Sequence, residues 1–540
     1  MVGTYLLPFL QGTCIISGME MRGNGNTVIY DINVPSFFDS DGDGIGDIRG
    51  VAERLPYVVS LGVTDISLTM LFERSDLDKI YATTDFMKPD LRIGTTDDLE
   101  TFIHMAKDAG LRVILPIPVR AVSYSHPWFE NATSTVTKKE YNLFKDYFIW
   151  KKTKTKPTEN GTKYLFHDAV GEWYLTTEDG FPLLNLDNPR VRREISDVIA
   201  FWRGKGVDAI SLVGMNFSVR KAGKGVDEPV YKVSEEIFDI GRGSYKLLRD
   251  IREKDLLGED GKLYLVNTQT DHYTIPYLLG DSALADIIEY SDVIAATACD
   301  VKEKFKLSVF LEKCLHSFSS KVVEKVCNVF EDSEHDRLLS HILDRSEYQA
   351  SAAKALSLLF FTLPGVHRVY QGQEIGMLDR INGKKSEKDL PMQWDSRVNA
   401  GFSAARFPWR SVHPDYSRIN VAAQENDPES PLSFFRKMIA FRNAYPILNS
   451  GEIKVVSTEN KDVCAFLRTK GDAKLLVVCS FSEKEINYAL TSELLYERSE
   501  CILSNYSVVS RSLHKTIGLR PYEARVYALN LVKNDVKLLH

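Results

Sequence analysis

The sequence predicts an α/β protein: a (β/α)8 barrel with an inserted subdomain after its third strand, followed by a C-terminal antiparallel β-sandwich domain. Three observations predict it. Over residues 27–440, short apolar strands alternate with amphipathic helices at a spacing suited to parallel crossovers. No GxGxxG follows the first strand, as an open doubly wound nucleotide-binding sheet would require. From about residue 445 the apolar period changes from helical to two, the signature of antiparallel strands.

The elements follow in order. VIYDINV (28–34) reads as the first strand, 49–61 as a helix and VTDISLT (63–69) as the second strand. Thr95 stands three residues before Asp98, a capping-box spacing, and opens a helix whose inner face is Leu99, Phe102, Ile103 and Ala106. LRVILPIPV (111–119) is almost wholly apolar, as a parallel strand covered on both faces must be. Residues 121–182, rich in Tyr, Lys and Thr, interrupt the rhythm and read as the inserted subdomain. Asn188-Pro189 starts the next helix, with Pro at its favoured first position and Val191, Ile195, Val198 and Trp202 facing inward. VDAISLV (207–213), LYLV (263–266), VVEKVCNVF (322–330) and VHRVY (366–370) continue the strand series. The domains are therefore an N-terminal tail (1–26), a barrel (27–120 and 183–440), the insert (121–182) and the β domain (441–540), whose strands include VCAFLRT, KLLVVCSFS and ARVYALNLV.

Composition narrows the function. With 540 residues, a net charge of -7 and no polybasic run, the chain offers no electrostatic footprint for nucleic acid. No run of 18 apolar residues occurs, so no membrane span is expected in this chain. Tyr5–Ser17 is too short to span; it reads as a weak signal-peptide core, though no Lys or Arg precedes it, or as a tail or the stub of a longer N-terminus. The seven cysteines show no metal-ligand spacing. Cys464 and Cys479 are nearly equidistant from the turn TKGDA and so face each other across a hairpin, as adjacent thiols or as a disulfide. Cys14, outside every periodic element, is a candidate intermolecular thiol. Sequons at Asn131, Asn160, Asn216 and Asn505 lean towards a secreted or cell-surface protein. The acidic loop DSDGDGIGD places Asp39, Asp41, Asp43 and Asp47 at near-alternate positions, with glycines for a tight turn; with the Ile45 carbonyl, these hard oxygens suit a structural Ca²⁺.

VIYDINVPSFFDSDGDGIGDIRGVAERLPYVVSLGVTDISLT resembles the opening of the α-amylase superfamily, glycoside hydrolase family thirteen, in its α-glucosidase branch. IGTTDDLETFIHMAKDAGLRVIL, LLNLDNPRVRREI, TLPGVHRVYQGQEIGM and PMQWDSRVNAGFS continue the resemblance in order. It implies the barrel, the insert, the sandwich and the Ca²⁺ loop.

Cleavage with retention needs two carboxyl groups about 5 Å apart at the C-terminal ends of barrel strands. The resemblance implies a nucleophilic Asp on strand four, within an Arg-x-Asp pattern, where this sequence has Ser211 and Val213. It implies a Glu ending strand five, where Asn267 or Thr268 stands. The supporting polar positions fall on Ala82, Pro116, Arg120 and Ala121. After strand seven, His335-Asp336 or Ser333-Glu334 fills the family's Asn-His-Asp position.

On this ground the expectation is a non-catalytic, amylase-like protein. Its sequence looks closest to the rBAT-type heavy chains of heteromeric amino-acid transporters, with a membrane-embedded light chain as partner. A soluble, inactive carbohydrate-binding or receptor-like homologue is the alternative, in which Tyr81, Trp128, Phe129 and Tyr370 stack on sugar. A third reading is an α-glucosidase whose acids have moved, with Asp271, Glu331 and Asp332 as the candidates.

Overall fold

The computed structural model describes residues 26–134, 142–157, 163–215, 242–266, 268, 274–280, 283–290, 322–343, 346–382, 385–457, 460, 462–490, 494, 496–507 and 509–530. The calls on Cys14, Asn160, Asn216, Asn267 and Asp271 fall outside them.

Eight parallel strands close into a barrel: β1 (Val28–Asn33), β2 (Asp65–Thr69), β3 (Arg112–Pro118), β4 (Ala209–Val213), β5 (Lys262–Val266), β6 (Ile287–Tyr290), β7 (Val326–Val329) and β8 (Val366–Tyr370). Each pairs with its sequence neighbours, and β1 closes the ring on β8, with Val28 opposite His367. Side chains alternate along each strand. Ile210 and Leu212 of β4 join the core under the helices, whereas Ala209 and Val213 pack inside the barrel with Ile29, Ile114, Tyr264 and Val366. β6 is the strand that periodicity does not pick out. It is four residues long, and its Glu289 points into the barrel, where it meets Arg368 of β8 at 3.2 Å.

Helix α1 (Thr96–Asp108) begins with the expected capping box between Thr95 and Asp98 and buries Leu99, Phe102, Ile103 and Ala106. The Asn188 side chain caps α2 (Pro189–Gly204) by accepting from the Arg190 amide. The helix expected over 49–61 is broken into Ile48–Glu53 and Leu55–Ser60. Pro56, in the first turn of the second piece, cannot donate to the preceding turn, so the first helix ends before it. The insert carries a three-stranded antiparallel sheet (Trp150–Lys151, Lys163–His167, Glu172–Thr176) around an aromatic cluster. In that cluster Phe129 meets Phe148, Trp150 and Tyr174 at 5.0–6.0 Å between ring centroids.

In the C-terminal domain, β9 (Glu452–Ser457), β10 (Val463–Lys470), β11 (Ala473–Ser480), β12 (Ser499–Ser504) and β13 (Ala524–Leu529) form an antiparallel sheet in the order β9-β10-β11-β13-β12. Ile486–Ala489 pairs with Thr516–Leu519 beside it. Cys464 and Cys479 are direct partners across the β10–β11 hairpin, both buried and both free thiols.

The sheet docks on α3 (Gln349–Thr362) of the barrel. Arg468 of β10 is fully buried there and donates to the carbonyls of Thr362, Ile447, Leu448 and Gly451, gathering the last turn of α3 and the interdomain connection onto one guanidinium. Asn505 joins the same interface. Its amide donates to the carbonyls of Ser351 and Tyr522 and accepts from the Ala524 amide, and the residue is 3% exposed. A glycan cannot be attached to an amide used in this way, so the Asn505 sequon is closed in the folded protein, whereas Asn131 is exposed.

Candidate active site in the barrel mouth

The loop after β1 carries the predicted acidic cluster. Its Asp39, Asp41 and Asp43 carboxylates converge, with ligand atoms within 4.8 Å of one another. Asp39 is buried and fixed by the amides of Gly42 and Gly44, at 2.7 and 2.8 Å, and by the Ser403 hydroxyl. Gly44 adopts φ +101°, and a Cβ there would meet the Phe407 carbonyl oxygen at 2.8 Å, so only glycine fits. Burial pushes the Asp43 carboxyl up, and the charges of Asp41, Asp39 and Asp47 add to that rise. Three carboxylates converging on one point, one of them raised by burial and by the charges of its neighbours, fit a hard cation. Asp47 is used otherwise: its carboxylate accepts from the Ser40 and Gly50 amides and caps the helix Ile48–Glu53.

A cavity opens at the C-terminal mouth of the barrel, where catalytic loops of this architecture gather. The residues named from the β3 and β4 ends stand here as apolar walls. Pro116 and Val213 line the cavity beside Val266. Ser211 lies one inward position deeper, 2% exposed, with its hydroxyl oxygen unpartnered. Ala82 and Ala121 are fully buried and pack with Phe181 against Tyr81, which accepts a hydrogen bond from Arg120. Of the four aromatics named for sugar stacking, Tyr370 is buried and bonded to Asp389 at 3.0 Å, and Phe129 belongs to the insert's core, while Trp128 is packed against Tyr147 at 5.6 Å.

The carboxylates of the mouth come from β1 and from the loop after β7. Asp31 of β1 faces inward, and burial raises its pKa against the pull of Arg368. Asp332 and Glu334 line the same cavity together with Ser333. Sequence left two registers open after β7; the fold turns Ser333 and Glu334 to the mouth, while Asp336 faces His341 and Lys388 at 3.4 Å.

The two acids of the β7 loop differ in proton affinity. Burial works to raise Asp332. It is outweighed by the His335 ring, 2.9 Å away, and by the backbone amides of Glu334 and His335, both at 2.8 Å, so the carboxyl is held below its ordinary range. Burial, reinforced by the Asp332 charge, pushes Glu334 up to about 7. His335 is raised in turn: its hydrogen bond and charge pairing with Asp332 outweigh desolvation. Behind them, Glu331 and Arg337 form a buried pair at 2.8 Å that fixes the base of the loop. A carboxylate kept ionised beside a carboxyl kept protonated near neutral pH is the division of labour that acid-assisted nucleophilic chemistry requires. Sequence reading named Asp332 among the relocated candidates; Glu334 entered only as one of two registers, and its neighbour in space, Asp31, was not singled out.

Comparison with known proteins fits this architecture. Residues 31–451 match the family described as alpha amylase, catalytic domain, and residues 463–526 match the alpha-amylase SusG C-terminal domain. An oligo-1,6-glucosidase of Parageobacillus thermoglucosidasius is 27% identical over 93% of this chain and 98% of its own length. One from Bacillus cereus is also 27% identical, over 95% and 100%. The crystal structure of Bacillus licheniformis trehalose-6-phosphate hydrolase superposes with a TM-score of 0.82 at 25% identity, covering 94% of this chain and 99% of that one.

These relatives overturn two expectations. The reading as a non-catalytic subunit of an amino-acid transporter finds no support in them, since proteins matching almost end to end are named as hydrolases. The companion expectation, that the chain is not an enzyme, falls with it. Pro116, Val213 and Val266 bring no carboxylate to the mouth, whereas β1 and the β7 loop bring Asp31, Asp332 and Glu334 to it. Among the described residues no helix is long and apolar enough to cross a membrane. The chain belongs to the α-amylase family.

Proposed function

We propose that the chain is an α-glucosidase-type glycoside hydrolase that takes α-linked glucosides in the barrel mouth, with Asp332 and Glu334 as its working pair. One observation carries the reading: two carboxyl groups in one cavity, on a loop braced by a buried ion pair, are driven to opposite protonation states. The names of the full-length relatives support the substrate class. Glu334 hands its proton to the glycosidic oxygen as the C1–O bond breaks. Asp332, held ionised by His335, stands against the positive charge developing at C1. Water then supplies the new hydroxyl at C1 and returns a proton to Glu334. The walls formed by Pro116, Val213 and Val266 keep the reacting centre dry, which strengthens both electrostatic effects. The same reading gives Asp39, Asp41 and Asp43 the role of holding a structural Ca²⁺ that stiffens the loop after β1.

The test is turnover of an aryl α-glucoside by the purified chain. Wild type hydrolyses it, and Glu334→Gln and Asp332→Asn each lower kcat by about 10²–10⁴. Sugar binding without turnover in wild type, or full activity in both variants, would sink the assignment.

A further inference from the structure

The mouth holds a cation that the hydrolytic reading does not use. Arg74 ends the short strand Phe72–Arg74, which follows β2 and pairs with Thr83–Pro89. It is 6% exposed and lines the cavity that contains Asp332 and Glu334. Its guanidinium donates to the Phe72 carbonyl and reaches the Met70 thioether, both at 3.0 Å. Neither partner is charged.

Its anionic neighbour is already engaged. Asp90 accepts from the Arg74 backbone amide, and its carboxylate is held by the Arg92 side chain, 2.8 Å from Nε. Burial pushes the Arg74 guanidinium down to about 10, the sign of a charge short of compensation. Arg368, the other cation of the cavity lining, is paired with Glu289 at 3.2 Å, and Asp332 with His335 at 2.9 Å; Asp31 and Glu334 complete the ionisable lining. A guanidinium removed from water is costly to keep charged unless an anion meets it, and its planar fork suits phosphate or carboxylate oxygens.

We infer that the barrel mouth selects an anionic sugar, one carrying a phosphate or a carboxylate, and that Arg74 is the residue that receives the anionic group. This rests on the α-glucoside reading of the mouth and narrows its substrate class. The sugar's glycosidic bond faces Asp332 and Glu334 while its charged substituent gives the Arg74 guanidinium the direct ion pair that Asp90 and Asp76, felt only through their charge, do not make with it.

Isothermal titration calorimetry of the full chain, at low ionic strength, with glucose, glucose 6-phosphate and glucuronate tests this. At least one anionic sugar should bind tenfold or more tightly than glucose, inorganic phosphate should compete if it is the phosphate sugar, and raised salt should erase the gap. A preference for glucose 6-phosphate assigns phosphate; a preference for glucuronate assigns carboxylate. Arg74→Met should lower the anionic affinity at least tenfold, and Arg74→Lys should retain most of it. Equal binding of glucose and both anions to wild type overturns the inference, as does a folded Arg74→Met that keeps the preference. If the Met variant does not fold, the wild-type comparison and the Lys variant decide. Because binding is read rather than turnover, a chain that prefers the anion yet cleaves no glucoside would refute the hydrolytic pair and leave Arg74 standing. The reverse outcome would do the opposite.

Discussion

Replacing Glu334, the proposed proton donor, by its neutral isostere should stabilise the protein by an amount that grows as pH rises from about 4.5 to about 7 and then holds. Glu334 is half-buried beside ionised Asp332, and its pKa stands at about 7 against an ordinary 4.5. The folded state therefore favours its protonated form. As pH rises from about 4.5, the unfolded chain releases this proton first, and stability falls until the folded carboxyl also ionises near 7. This is the reverse of a salt-bridged carboxylate, whose contribution is lost as pH falls. At about 1.4 kcal/mol per pH unit the full gap is about 3 kcal/mol; partial exposure to water reduces the expected effect to about 2 kcal/mol. Urea unfolding of wild type and Glu334→Gln at pH 4.5 and pH 8 measures it. The two should be equally stable at pH 4.5, and the variant more stable by about 2 kcal/mol at pH 8. A difference that ignores pH, or a variant less stable at pH 8, would refute the claim that burial beside Asp332 loads this residue.

Three other outcomes follow. Arg468→Met removes a guanidinium shared by four buried carbonyls and should cost about 3–5 kcal/mol in denaturant titrations; limited proteolysis should then cut near residue 451 faster than in wild type. Chelation of divalent ions should lower the melting temperature of wild type, and Asp41→Asn should weaken the recovery on adding Ca²⁺ back, because the loop loses one of three convergent carboxylates. Cys464 and Cys479 are buried with their thiols pushed well up by desolvation, so alkylation should reach them only after unfolding; rapid labelling of the folded chain would contradict their placement.

The barrel was legible because its strands obey a local rule. Runs such as LRVILPIPV are apolar on both faces, and caps such as Thr95–Asp98 and Asn188–Pro189 depend only on near neighbours. β6 escaped that rule because four residues with an inward glutamate, matched by Arg368 from β8, leave no periodic trace. The site was harder for the same reason. Val213 and Pro116 could be placed from their strands, but Asp31 meets Asp332 only through barrel closure. The choice of Glu334 over Asp336 depends on how the β7 loop is braced by Glu331 and Arg337. Proton affinity is a property of that three-dimensional setting and has no signature in a run of letters. Arg74 was passed over because nothing in its sequence neighbourhood tells that its charge is enclosed.

Closure of the ring has a cost in time. Asp39 of the first loop is tied to Ser403, 364 residues further along, and the Asn33 amide donates to the side-chain oxygen of Gln371, 338 residues on. At a synthesis rate of about 5–20 residues per second, the beginning of this chain waits roughly 20–70 s at the ribosome for the segment that completes it. During that interval β1 has only β2 beside it, and its other edge, later covered by β8, is open to any strand that arrives first. The yield of native protein in cells should therefore depend on what shelters one strand edge during translation more than on the depth of the finished core.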